Sequence, residues 1–199
     1  MRDIMSRIFE LDSYLCRRKV MALVGKISVM DSTGAVVAFS RQKAFKLREE
    51  IRVFTDESET TPLLTIKARS IIDFAATYDV TAAEGVDVGS LRRKGFKSMF
   101  KDQWMVQGPG DSVDGSIDEA GGTGLALARR FVPFVAWFLT QDYTMTANGS
   151  EVATFQRNRN PFVSKLAVQL APRITRQQRT LAFAAAVLML IIEGKESSD

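Results

Sequence analysis

From Ile27 to Leu170 the chain alternates apolar and polar residues in short runs, the pattern of strands with one buried and one solvated face. Ile27 and Val29, Val37 and Phe39, Ile51 and Val53, Leu64 and Ile66, and Tyr78 and Val80 form the first group. Trp104 and Val106, Tyr143 and Met145, Ala153 and Phe155, and Leu166, Val168 and Leu170 continue it. Between them stand stretches that tolerate tight turns, such as Asp31 to Gly34, Asp56 to Pro62, Ala82 to Gly85 and Ala147 to Ser150. The pattern is also periodic. Ile27, Ile51, Tyr78 and Trp104 lie 24, 27 and 26 residues apart, and Tyr143 and Val168 lie 25 apart. Each period accommodates one strand pair, which predicts an antiparallel meander of roughly eleven or twelve strands. So many strands avoid exposed edges most simply by closing into a barrel.

A different pattern ends the chain. Leu181 to Ile192 is apolar without interruption, between Arg176, Gln177, Gln178 and Arg179 on one side and Glu193, Lys195 and Glu196 on the other. A membrane-spanning helix needs about 20 apolar residues, and this run has 12. A helix apolar on every face must be enclosed on every face. A barrel supplies that enclosure, and Ala182, Ala184, Ala185 and Ala186 let strands approach closely.

The opening hairpin from Arg17 to Val37, the segment from Phe155 to Leu170 and the apolar segment from Arg176 to Gly194 together resemble the tubby-like C-terminal domains, which include phospholipid scramblases and LURP-one-related proteins. The resemblance runs from about Ser13 to Lys195. It implies a mainly β (α+β) fold: a closed, roughly twelve-stranded antiparallel β-barrel around a buried hydrophobic C-terminal helix.

One interval is longer than the rest, with 39 residues between Trp104 and Tyr143. It holds an acidic, glycine-rich stretch from Gly108 to Gly124, expected as a loop, and then Leu125 to Gln141, expected as a helix bent at Pro133. The expected organisation is a single domain over residues 1–199 with an acidic loop and one helix inserted at about 108–141.

Composition narrows the chemistry. Hydrophobic residues at 46% and charged residues at 25% are ordinary for a globular chain. The N-terminal stretch interleaves charge with apolar residues and lacks the form of a secretory signal, so the expected location is cytoplasmic, peripheral on the membrane. Having no histidine, the chain lacks Ser-His-Asp and Cys-His nucleophilic pairs and His-ligated metal sites. No acid, base or nucleophile pair stands at mechanistic spacing, so a non-enzymatic protein without a cofactor is expected. Cys16, the single cysteine, reads as a structural residue near a strand end rather than a thiolate activated by Arg17, Arg18 and Lys19. A net charge of +4 favours anionic partners.

Basic residues follow apolar ones at equivalent places in successive periods: Arg41 and Lys43, Lys67 and Arg69, Arg92, Arg93 and Lys94, Arg157 and Arg159. Gathered on one rim, they would bind anionic lipid head groups; the other reading is strand-end solvation, each meeting a nearby acid. A second membrane element is the segment Phe131 to Leu139. Phe131, Phe134, Trp137 and Phe138 could enter the acyl boundary while Arg129 and Arg130 meet phosphates, or the segment could cover a barrel mouth with its apolar side inward.

Animal scramblases respond to calcium, which draws interest to Asp111, Asp114, Asp118 and Glu119, although their spacing fails the EF-hand template. Gly121, Gly122 and Gly124 do not form a phosphate-binding motif. The leading expectation is a scramblase-related barrel binding anionic phospholipids at the cytoplasmic membrane surface. A soluble regulatory or protein-interaction scaffold of the LURP-one-related type is the alternative. Nucleic acid ranks last, because only Phe45 and Phe96 lie near the basic clusters to stack on bases.

Overall fold

The computed structural model describes residues 7–19, 24–43, 50–70, 76–93, 103–120, 141–158 and 163–196. They form twelve strands and a long C-terminal helix. The strands are β1 (Ser13–Lys19), β2 (Val24–Met30), β3 (Val36–Lys43), β4 (Ile51–Phe54), β5 (Pro62–Ser70) and β6 (Thr77–Ala82), followed by β7 (Asp87–Arg93), β8 (Gln103–Gln107), β9 (Val113–Ala120), β10 (Gln141–Ala147), β11 (Ser150–Asn158) and β12 (Val163–Leu170). The helix, α1, is Arg176–Glu196. Each strand pairs antiparallel with its sequence neighbours, and β1 pairs with β12, so the meander closes into a barrel without an edge.

Alternation decides what fills it. Cys16 stands opposite Leu166, Ile51 opposite Ile66, Tyr78 opposite Leu91, and Met145 opposite Ile117, all buried on the inner face. Intervening residues such as Arg17, Arg52, Lys67 and Asp142 are exposed on the outer face. The helix packs against β7 and also against β1, β2, β11 and β12. In the ring order these strands lie on opposite sides, so α1 threads the interior. Every residue from Leu181 to Ile192 is buried. Phe183 meets Tyr14 and Phe9 edge-on, with ring centroids 5.8 and 6.3 Å apart. Burying each large side chain contributes about 1.5–3 kcal/mol.

The helix α1 is fastened to the barrel at its start and along its length. The hydroxyl of Thr175 accepts the Gln178 N–H at 3.2 Å, and the Gln178 side-chain oxygen accepts the Thr175 N–H at 2.8 Å, which is a capping box. Arg179 donates to the Leu11 carbonyl at 2.8 Å and to Asp12 at 3.1 Å. Nearer the C-terminal half of the helix, Arg18, pointing inward from β1, donates to the Leu190 carbonyl at 3.1 Å and ties α1 to the wall.

The connections ending at the capped end of α1 are short turns. Asp31 accepts hydrogen bonds from Thr33 and Ala35, closing the turn into β3. Asn148 and Gly149 both have positive φ, 51° and 75°, as an Asn-Gly hairpin requires. This is the turn end of the barrel. The opposite end receives the C-termini of all odd-numbered strands.

The interval after Trp104 departs from expectation. The acidic stretch is not a loop throughout, because Val113–Ala120 forms β9 between β8 and β10. Its composition disfavours a strand. Pairing on both sides, the fully buried Ile117 and the close approach at Gly115 override that preference. A Cβ at Gly115 would lie 1.8 Å from the Thr146 carbonyl oxygen. The helix expected over Leu125 to Gln141 falls on residues outside the described ones, except that Gln141 opens β10.

Candidate anionic-lipid interface

Strand direction gathers the basic residues. All odd-numbered strands run toward the same end, so Arg17 and Lys19 of β1, Arg41 and Lys43 of β3, Lys67 and Arg69 of β5, Arg92 and Arg93 of β7, and Arg157 of β11 lie toward it. Lys26, Arg52 and Lys165 join them at the start of even-numbered strands. The turn end carries Asp31, Asp56, Glu57, Glu59, Glu84, Asp87, Asp111 and Asp114. The two sets meet along the barrel wall, where Arg41 pairs with Glu59, Arg69 with Asp111, and Lys26 lies 3.9 Å from Glu57.

The predicted basic residues divide into three groups. Arg41 and Arg69 are engaged. The Arg41 Nε lies 2.9 Å from Glu59, and its guanidinium sits 5.7 Å from the centre of the Phe39 ring. Arg69 donates to Asp79 and bridges to Asp111, with an oxygen of the latter 2.6 Å from Nη1. The hydrogen bonds that Arg69 donates to Asp79 and then Asp111 push its pKa up, and the bond from Arg69 holds the Asp111 carboxyl below its ordinary range.

Arg157 and Arg93 face inward, which corrects their placement on an outer rim. Arg157 is 4% exposed and donates to Gln141 at 3.5 Å, and Gln141 donates to Glu119 at 3.2 Å, forming a polar chain inside the barrel mouth. Arg93 stands opposite the buried Trp104. Lys67 and Arg92 form the third group: both are exposed on the outer face and have no ion pair among the described residues. The Lys43 side chain, Lys94 and Arg159 lie outside the described residues, as do Arg129, Arg130, Phe131, Phe134, Trp137, Phe138 and the three glycines 121, 122 and 124.

Register adds three cations that sequence spacing missed. Arg17 stands directly opposite Lys165 across the β1–β12 seam, and Lys19 follows Arg17 on the same outer face. All three are exposed, with no ion pair among the described residues. Like charges directly opposite on neighbouring strands are destabilising, so this pair stores a repulsion that a bound anion would relieve. Toward the turn end the same face opens into a groove of about 660 Å³ over β10, β11, β12 and β1, with Thr144, Thr154, Leu15 and Ala167 among its walls.

The four acidic residues considered for calcium do not converge. Asp111 is committed to Arg69, and Asp114 accepts from Ser112 at 3.1 Å. Asp118 and Glu119 are successive strand residues on opposite faces: Asp118 accepts from Gln103 and Ser116 outside, while Glu119 meets Gln141 inside. Cys16 is fully buried, and burial pushes its thiol pKa up, away from thiolate character. Among the described residues no helix is long and apolar enough to cross a membrane.

The chain matches no known family model, and no curated protein matches it.

Proposed function

We propose that this chain is a non-enzymatic, scramblase-related barrel that acts at the cytoplasmic membrane surface by binding anionic lipid head groups. The observation that carries the reading is the group of outer-face cations Arg17, Lys19, Lys67, Arg92 and Lys165, none of which forms an ion pair among the described residues. Each basic residue near such a surface contributes about 1 kcal/mol, so the five amount to roughly 5 kcal/mol, an affinity below millimolar and sensitive to salt.

Co-sedimentation of the purified chain with anionic and neutral vesicles tests this. Binding only to the anionic vesicles, falling between low and physiological salt, is expected. Failure to sediment with either kind at low salt refutes the lipid reading and leaves the soluble scaffold.

A further inference from the structure

The turn end holds a second feature. The first turn of α1, residue 9, the start of β5, the β6–β7 hairpin and the β8–β9 connection surround a cavity of about 390 Å³. Its walls include Phe9, Leu63, Val86, Val88 and Pro109, and Arg176 stands at its edge. The volume lies in the range of small-molecule sites. The cavity is also preformed, because the side chain of Gln177 donates to the Val88 carbonyl at 3.1 Å and ties the helix to β7.

Two observations indicate what it takes. Val86 leaves 60% of its surface exposed on the rim, so apolar surface awaits cover. Arg176 is exposed, lies 5.7 Å from the Phe9 ring centre, and has no carboxylate partner among the described residues. Glu84 and Asp87 also line the cavity yet form no ion pair with Arg176, and the Asp87 carboxylate accepts the Gly89 N–H at 3.0 Å. These two carboxylates repel ligands with several negative charges, while Arg176 favours a single one that its planar fork can grip.

We propose that this cavity binds a medium-chain aliphatic monocarboxylate, its tail against Leu63, Val86 and Val88 and its carboxylate on Arg176. The site is at the opposite end from the basic residues and does not depend on membrane binding.

Calorimetric titration of the full chain with octanoate, without vesicles, tests it. Octanoate should saturate a single site, and octanol, equal in length but uncharged, should bind about tenfold more weakly or worse. Arg176→Gln should weaken octanoate by a similar factor and remove the preference over octanol. Glu84→Gln, which removes repulsion at the rim, should tighten octanoate binding. The octanoate–octanol comparison needs no substitution, so it stands even where a variant folds poorly. Absence of saturable octanoate binding, or octanol binding as tightly as octanoate, overturns the proposal.

Discussion

At the turn end, acidic side chains are used to build the turns. Asp31 is held by Thr33, Ala35 and Arg7, Asp56 by Ser58 and Thr55, and Asp87 by the Gly89 amide. At the opposite end Arg17, Lys19, Lys67, Arg92 and Lys165 close no turn and form no ion pair among the described residues, although Lys67 stands opposite Asp79, which is held by Arg69. A charge consumed by local structure does little for a partner, whereas a charge left in solvent beside another of the same sign is available to one. The difference in engagement is what distinguishes the two groups.

The largest way to break the comparison is to remove what both ends share. Phe183 is buried in the helix core against Phe9 and Tyr14. Phe183→Ala should cost about 3–5 kcal/mol in urea unfolding. The protein that remains folded should still sediment with anionic vesicles, since no outer-face cation is altered.

Acid should act on the turn end. The Asp31 carboxyl is held below its ordinary range first by the Thr33 hydroxyl, then by the amides of Ala35 and Thr33 and by Arg7. Asp56, through Ser58, and Asp111, through Arg69, shift the same way. A depressed carboxylate contributes stability that is present above the unfolded value, near pH 4, and is lost as pH falls through the lower folded value. Thermal melts should therefore change little above about pH 5 and fall below about pH 4. A melting temperature that rises on acidification through this window would contradict the assignment.

The smallest expected effect has an informative sign. Arg17→Glu replaces a repulsion with an attraction across the β1–β12 seam and should stabilise the fold by about 0.2–1 kcal/mol. The same change should weaken vesicle binding. Lower stability together with unchanged binding would remove the seam from the account.

Much of this was legible before any coordinates. The two-residue alternation and the near-constant period lead to an antiparallel barrel, and the uninterrupted run after Thr180 leads to a helix that a barrel must enclose. Strand β9 was hidden because its aspartates and glycine read as a loop, and pairing partners are not visible in a single stretch of sequence. The basic clusters were expected together on one side or rim, but spacing alone did not show which of them face outward. Parity separates them: Arg157 is two residues from Phe155 and Arg93 two from Leu91, so both share an inward face. Lys67 and Arg92 each follow a buried residue by one and point outward. Lys165 precedes Leu166 by one and was equally readable, but its position opposite Arg17 emerges only from the closure of the barrel.

The central claim is that the seam cations, rather than net charge, hold the anionic surface. Lys165→Glu and Arg173→Glu change the charge equally, the first on the seam and the second on an exposed residue beside the turn end. Their co-sedimentation with anionic vesicles at low salt, measured side by side, separates the two causes. The account predicts that Lys165→Glu loses most of its binding while Arg173→Glu keeps the wild-type level; equal losses in both variants would contradict it.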